Sequence, residues 1–172
     1  MTADGGIERI GPSVTAGERE MLRAFLDYHR ATLAMKCDGL DDEDLRRQSM
    51  PPSTLSLLGL VRHMAEVERT WFRRVINGED IGLVWSDQGD YQVAYDARAA
   101  TRSEAFASWH AEVEHSRRIE ANAPSLDVLG HQARWNQDVS LRLVMIHVLL
   151  EYARHNGHAD FLREGVDGIV GA

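Results

Sequence analysis

Cysteine is almost absent from this sequence, and its scarcity excludes two kinds of site. The 172 residues contain one cysteine, Cys37, so neither an intrachain disulfide nor a zinc site built from several cysteines can form. One cysteine suits a reducing compartment, although pairing between two chains stays open. Because Cys37 lies near the end of a helical pattern, we predict a packing role for it rather than a catalytic thiol.

Long apolar runs and low-complexity tracts are missing as well. No uninterrupted apolar stretch approaches the ~18 to 20 residues of a membrane-spanning helix, and the N-terminus lacks the basic and apolar regions of a signal peptide. We therefore expect a cytoplasmic protein without a membrane partner. With 4 prolines and 14 glycines, the chain is predicted to form one domain over residues 1–172, with an irregular N-terminal arm at 1–14.

The chain has no excess of positive charge. It carries 19 Lys and Arg against 27 Asp and Glu, a formal net charge of -8, and so repels a phosphate backbone. Its densest basic stretches, Arg73–Arg74 and Arg117–Arg118, are short and are best interpreted as solvated helix faces. We predict no nucleic-acid partner.

Two segments in the first half of the chain have apolar residues spaced as on one face of a helix. The first extends over residues 16–37, where Thr15 and Glu18 form a capping-box pattern at its start. The second begins after Pro51 and Pro52, with Ser53 or Thr54 as its N-cap, and ends at Asn77 and Gly78.

Two more helical segments follow in the second half. Thr101 and Glu104 form a capping box for a helix that stops near Pro124, and the last helix extends from Ser140 to about Glu164, with Gly165 and Gly168 as stops. No segment alternates with the period of a strand. The fold class is therefore all-α, a four-helix bundle with long connections between helices two and three and between helices three and four.

The connection between helices two and three, residues 79–100, is aromatic for a loop. Trp85, Tyr91 and Tyr95 either complete the hydrophobic core or cover a site in the bundle and exclude water from it.

Three polar residues interrupt the apolar faces of helices two and four. His63 occupies the apolar face of helix two, and Glu151 follows an apolar run on helix four, four residues before His155. A buried carboxylate is costly unless a positive charge compensates it, and a divalent cation shared with two imidazoles does so. This set would leave coordination positions open for water or substrate.

Other interpretations of these residues stay open at this level. Glu151 could pair with Arg154 or Arg62 instead, with His63 and His155 satisfied in the core, and the helical spacing also permits His147 or His158 as ligands. Asn156 and His158 could orient the ligands from behind. We assign no role in the site to the remaining histidines, which lie among polar neighbours: His29, His110, His115 and His131.

The segments LVRHMAEVERTW (60–71) and EYARHNGH (151–158) resemble the DinB-like superfamily of four-helix-bundle metalloproteins, as does the approach PPSTLSLLGL (51–60). The resemblance implies a zinc or nickel ion held by His63, Glu151 and His155, with His147 and His158 outside the set. Glu151 replaces the more common histidine. This makes the chain similar to the metal-binding domain of mycothiol-dependent maleylpyruvate isomerase.

The resemblance also implies a function. It suggests a metal-dependent, thiol-dependent S-transferase or isomerase that acts on a small electrophile with a low-molecular-weight thiol such as mycothiol or bacillithiol, and a homodimer. A metal-stabilised or metal-sensing bundle without catalysis, a metal-free interaction module and a metal-dependent hydrolase are the alternatives. The acidic composition gives no physical support for DNA contact, whatever the superfamily's name suggests.

Overall fold

The structure is a computed structural model that describes residues 7–170. Helices make up 59% of it and strands 5%, so the predicted all-α class is confirmed as a mostly helical fold. The elements, in chain order, are α1 Glu18–Lys36, α2 Asp42–Arg46, α3 Leu57–Glu68, a π-helix Arg69–Ile76, a 3-10 helix Tyr91–Tyr95, α4 Arg102–Asn122, β1 Leu129–Gln132, β2 Gln137–Ser140 and α5 Leu141–Asp167.

The start of α1 differs from the prediction. Gly17 is the N-cap and no side chain caps the helix, so the capping box predicted from Thr15 is wrong. Glu18 would have to be the third helical residue for that motif, and it is the first. The acidic segment after α1 forms the short helix α2, which we did not predict. Its N-cap Asp41 accepts a hydrogen bond from the Asp44 amide.

Helix α3 begins later than predicted and changes its winding. The N-cap is Ser56, whose hydroxyl accepts a hydrogen bond from the Gly59 amide, and neither Ser53 nor Thr54 takes this place. From Arg69 the backbone continues as a π-helix. Such segments often occur at functional sites because the wider turn redirects side chains.

The two later helices follow their predicted signals closely. Thr101 caps α4 by accepting from the Glu104 amide, and Ser140 caps α5 by accepting from the Leu143 amide. Helix α5 extends past the predicted end at Glu164, through Gly165, and stops at Gly168, whose φ of 78° is the left-handed conformation that glycine favours.

A small β-hairpin lies where no strand was predicted. Strands β1 and β2 pair antiparallel, with Leu129 opposite Ser140 and Gln132 opposite Gln137. The hairpin packs against the end of the π-helix at Gly130, where a Cβ would lie 2.1 Å from the Val75 carbonyl oxygen. Only glycine permits this approach, which fixes the hairpin beside the π-helix.

The long helices pack around a common core. Helix α1 packs on α5, and α3 packs on both α4 and α5. Leu33, Leu60, Met64, Val144 and Val148 are fully buried between them. None of the helices in residues 7–170 is long and apolar enough to cross a lipid bilayer. The predicted arm at 1–14 falls partly on residues 1–6, outside the described residues, and residues 7–13 form neither helix nor strand.

Substituting Gly130 tests the hairpin contact. We expect Gly130→Ala to lower the free energy of unfolding by about 1–3 kcal/mol, because the added methyl group overlaps backbone atoms that cannot move independently. Urea denaturation measures the change. Gly82→Ala is the matched control, since nothing lies within 4 Å of its Cβ position, and equal losses in the two variants would contradict the prediction.

Candidate metal centre

The structure brings the three candidate ligands together. Glu151 Oε2 lies 3.4 Å from His155 Nε2 and 3.5 Å from His63 Nε2. One ligand atom from each residue can be chosen so that all lie within 4.8 Å of one another. The three side chains therefore converge on one point between α3 and α5.

Local sequence and helix packing explain this convergence. Glu151 and His155 are one turn apart on α5, so their side chains project from the same face. His63 meets them from α3, which packs directly against α5. The cluster is largely sheltered from solvent, with side-chain exposures of 15%, 24% and 7% for His63, Glu151 and His155.

These residues fit a divalent cation. Bonds of about 2.0–2.2 Å in a tetrahedral zinc site place two ligand atoms about 3.3–3.6 Å apart, and both histidine-to-carboxylate distances fall in that range. Both ring nitrogens of His63 are buried without a hydrogen-bond partner. An unsatisfied imidazole beside a carboxylate is a donor set that a cation would complete.

Glu151 supplies the negative charge of the cluster. The rings of His155 and His63 hold the pKa of its carboxyl group well below the usual range, although partial burial acts in the opposite direction. Glu151 is therefore ionised at neutral pH. Within residues 7–170 no arginine forms an ion pair with it: Arg62 donates to the carbonyl oxygens of Ala94 and Val93, and Arg154 is exposed.

Two further histidines, His147 and His158, lie next to the cluster but do not belong to the three side chains that converge. His147 Nε2 lies 3.6 Å from Oε1, the other carboxylate oxygen of Glu151, and partial burial lowers the pKa of this imidazole. His158 Nδ1 lies 3.2 Å from His155 Nδ1, so it contacts a candidate ligand from behind. Asn156 instead donates to the ring and carbonyl of His29 on α1.

A cavity of about 690 Å³ opens beside the cluster. The cavity is bordered by His63 and Glu151 and extends along α3 and the π-helix. The 3-10 helix and the hairpin form its other walls. A cation with a bound water would need only a small part of this volume. The candidate centre therefore adjoins a space large enough for an organic ligand.

The aromatic residues of the long loop divide between two roles. Tyr95 stacks on the His63 ring with centroids 4.6 Å apart, and Tyr91 also borders the cavity. Burial, together with the Glu151 carboxylate, raises the pKa of Tyr95 to about 12, so its phenol stays protonated at neutral pH. Trp85 does not border the cavity: it packs on Arg62 and donates to the Arg62 carbonyl oxygen.

Cys37 does not have the properties of a reactive thiol. It is fully buried, and burial raises the pKa of its thiol to about 12. A thiolate would therefore be scarce at neutral pH, in agreement with the predicted packing role.

Several cavity residues were not identified from the sequence. Glu66 and Thr70 border the cavity along α3 and the π-helix, and Trp135 and His131 border it from the hairpin. Glu66 was not part of the apolar pattern of helix two and was given no role, and His131 was given none because its neighbours in the sequence are polar. Only the hairpin, which gave no alternation signal, brings His131 and Trp135 to the cavity.

Comparisons with known proteins agree with this architecture. A family model described as Mycothiol-S-transferase matches residues 21–168, which include every residue of the cluster and of the cavity. This family is a member of the DinB-like superfamily, so the resemblance seen in the sequence is confirmed. No curated protein sequence matches the chain.

Proposed function

We propose an enzymatic function for this chain, which belongs to the mycothiol S-transferase family. It joins the thiol of mycothiol to a small electrophile in the cavity beside His63, Glu151 and His155. The observation that carries the proposal is the convergence of these three side chains at the edge of a cavity of about 690 Å³. A purely structural ion would need no such space.

The proposal assigns a divalent cation, zinc or nickel, to the three side chains. Held by these residues, such a cation would supply Lewis acidity, which would lower the pKa of a thiol bound beside it toward neutral pH. In the proposed reaction the thiol sulfur would form a bond to the electrophilic carbon, and the leaving group would depart with its bonding electrons.

The remaining side chains of the cavity handle the proton and the solvent. His147 borders the cavity, and its ring is neutral at neutral pH, so Nε2 takes the thiol proton and returns it to the leaving group. Tyr95 covers the His63 ring and limits access of water from that side. The chain's own contribution is thus to orient the thiol, hold its proton and exclude solvent.

The alternatives from the sequence predict different behaviour. A metal-stabilised or metal-sensing bundle would bind the ion but show no thiol-dependent turnover, and a hydrolase would use water in place of the thiol. The large cavity favours a reaction with an organic ligand over both a stabilising ion and a buried water.

A comparison of thiols tests the proposal. Metal-loaded protein is incubated with a small electrophile such as a chlorodinitrobenzene or a bimane, together with mycothiol, bacillithiol, glutathione or no thiol. We expect a thioether product that accumulates at least tenfold faster with mycothiol than with the other thiols, measured by mass spectrometry.

The control is the His155→Ala variant, which should lose this acceleration. Equal rates with and without protein would contradict the transferase proposal, and a protein-dependent rate without any thiol would favour the hydrolase. A rate that favours another thiol would retain the reaction class and reject mycothiol as its cofactor.

The family resemblance also implied a homodimer, and α5 carries a surface that suits one. Leu143, Ile146 and Leu150 are exposed on one side of this helix, three and four residues apart, and Phe161 extends the row. We include a cytoplasmic homodimer and the four-helix-bundle arrangement in the proposal. A second copy of the chain is the partner that would cover such a row symmetrically.

A charged residue introduced into this row of apolar side chains should separate the two copies of the chain. We expect Leu150→Glu to convert a dimer into a monomer, measured by light scattering after gel filtration, because a carboxylate would be buried at the contact. Ile10→Glu, at an exposed residue outside the helices, is the control and should leave the mass unchanged. A monomeric wild-type protein would contradict the dimer.

A further inference from the structure

The wall of the cavity that the hairpin forms carries an exposed tryptophan. Trp135 is 44% exposed, whereas Trp71 beneath it is buried at 7%. The two indole rings lie 5.2 Å apart, and Trp71 in turn lies 4.2 Å from the His147 ring. The Trp135 and His147 rings also lie 6.2 Å apart, so the three rings form one cluster on the hairpin side of the cavity, and its member His147 contacts Glu151.

The hairpin holds this tryptophan in a fixed place. Trp135 lies in the turn between β1 and β2, where its amide donates to the Gln132 carbonyl oxygen. The close approach at Gly130 fixes the hairpin to the end of the π-helix. An exposed indole on a rigid support is a preformed flat surface for a ligand.

The α3 side of the same cavity carries hydrogen-bonding atoms without partners. Glu66 is 1% exposed, and its Oε1 accepts from the Trp85 amide while Oε2 is buried with no hydrogen-bond partner. One turn further, Thr70 Oγ1 is also buried without a partner. A buried carboxylate oxygen left unsatisfied is costly, and both residues border the cavity.

The spacing of these groups suits one extended ligand. His63, Glu66, Thr70 and Arg74 border the cavity in succession, and eleven residues of helix correspond to roughly 16 Å. The candidate metal centre lies at one end of this row, and Arg74, which donates to the Tyr91 hydroxyl, lies at the other. A thiol at the centre would therefore carry its remaining atoms past Glu66 and Trp135.

An aromatic face combined with unpaired oxygen atoms is the chemistry that recognises a neutral polyhydroxylated ring. The C–H groups of such a ring pack on the indole, and its hydroxyl groups donate to carboxylate and threonine oxygens. We infer that Trp135, Glu66 and Thr70 form a subsite for the sugar-like headgroup of the thiol cofactor, separate from the centre that activates its sulfur. This inference rests on the proposed function and names how its cofactor is selected.

Mycothiol supplies such a group, since its cysteinyl thiol is attached to a glucosaminyl-inositol headgroup. The subsite explains how the chain would distinguish mycothiol from a thiol of the same reactivity without sugar rings. Selection by Glu66 and Thr70 follows from their unpaired oxygens, because a ligand without donors at these points would leave them unsatisfied.

Binding measurements with three probes test the subsite. The probes are mycothiol, N-acetylcysteine, which has the thiol without the headgroup, and N-acetylglucosaminyl-inositol, which has the neutral headgroup without the thiol. We expect calorimetry to detect the headgroup alone with wild-type protein and with the His155→Ala variant. We expect Trp135→Ala to weaken its binding about tenfold, and Glu66→Gln to do so as well.

The controls separate a ligand contact from a general loss of structure. Trp135→Phe should retain most of the affinity, because it keeps an aromatic face. Phe25→Ala removes a partly exposed ring of α1 that does not border the cavity and should change nothing. Circular dichroism and melting temperature check that Glu66→Gln is folded. The affinity for N-acetylcysteine should stay the same in the Trp135, Glu66 and Phe25 variants, none of which changes a candidate metal ligand.

The outcomes distinguish this inference from the proposed function. If the headgroup does not bind, or binds equally to Trp135→Ala, the subsite is wrong even where mycothiol-dependent transfer is observed. If the headgroup binds as expected and no thioether forms with any electrophile, the transferase proposal fails while the subsite stands. Equal loss of N-acetylcysteine binding in Trp135→Ala would also overturn the subsite.

Discussion

Protein in which Glu151 is replaced by alanine should contain less than a tenth of the divalent metal found in the wild type. Purified without chelator and without a histidine tag, the wild-type chain should hold about one ion, measured by plasma mass spectrometry. The expected loss follows from the position of Glu151, whose ionised carboxylate lies 3.4 and 3.5 Å from the two histidine nitrogens. It is the only anion among the three groups that converge there.

His63→Ala and His155→Ala should lose the metal in the same way. Removing a direct ligand should weaken binding by at least about 100-fold, because changes that only reorient ligands already cost 10- to 100-fold. His158→Ala is such a change, since His158 contacts His155 from behind, and we expect an intermediate loss of about tenfold.

His147→Ala is the decisive control for the choice of ligands. His147 and His155 flank Glu151 at equal distances along the helix, but only His155 converges with His63. The His147 variant should therefore retain its metal. Full occupancy in the Glu151 and His155 variants, or loss of metal in the His147 variant, would contradict the ligand set.

Sequence reasoning could reach the three residues because each breaks a helical pattern. A histidine on the apolar face of helix two and a carboxylate within an apolar run of helix four are visible without coordinates. The spacing alone could not choose between His147 and His155, since both lie four residues from Glu151. That choice needs the rotation of α5 relative to α3, which depends on contacts distant in sequence.

The hairpin and the cavity could not be predicted in the same way. Strands β1 and β2 have four residues each, too few for alternation to stand out, and their position depends on the contact between Gly130 and the end of the π-helix. The π-helix itself has no sequence signal that we recognise. No sequence pattern therefore singled out Trp135, which lies in the hairpin turn.

Glu66 and Glu68 illustrate a second limit. Two residues apart on α3, both lie outside the apolar pattern from which helix two was predicted, yet both are buried. Glu66 borders the cavity, whereas Glu68 faces the core and meets Arg30, which is 38 residues away in sequence. No local pattern identifies such a pairing, because its partner is on another helix.

Glu68 lies at the centre of a buried network that joins all four long helices. Arg30 of α1 donates to both of its carboxylate oxygens, at 2.9 and 3.0 Å. Tyr152 of α5 donates to Glu68 Oε1 at 2.7 Å, and Trp109 of α4 donates to the Tyr152 hydroxyl at 2.7 Å. Although burial opposes the charge, Glu68 raises the pKa of Arg30 above its usual value, so the guanidinium stays charged.

The network also positions the candidate centre. Tyr152 directly follows Glu151 on α5, and Glu68 follows His63 on α3 by five residues. Because the Tyr152 hydroxyl is held by Glu68, the two helices are fixed relative to each other next to the cluster. A change in this network should therefore affect both the stability of the fold and the geometry of the three candidate ligands.

The second large effect is expected when one charge of this network is removed. Arg30→Met should lower the free energy of unfolding by about 3–5 kcal/mol, because it leaves the fully buried Glu68 carboxylate without its cation. Tyr152→Phe should cost less, about 1–3 kcal/mol, since it leaves the Trp109 indole N–H without its acceptor and removes one of the two donors to Glu68 Oε1. Urea denaturation with linear extrapolation measures both.

The double variant Arg30→Met/Glu68→Leu separates a charge effect from a packing effect. If the loss comes from an uncompensated buried charge, removing both charges should make the double variant more stable than Arg30→Met alone. Arg98→Met, at an exposed pair with Asp96, is the control and should show no measurable loss. A double variant that is less stable than either single variant would instead mean that the ion pair itself stabilises the fold. The metal content of this double variant would then show whether the pair also fixes α3 against α5.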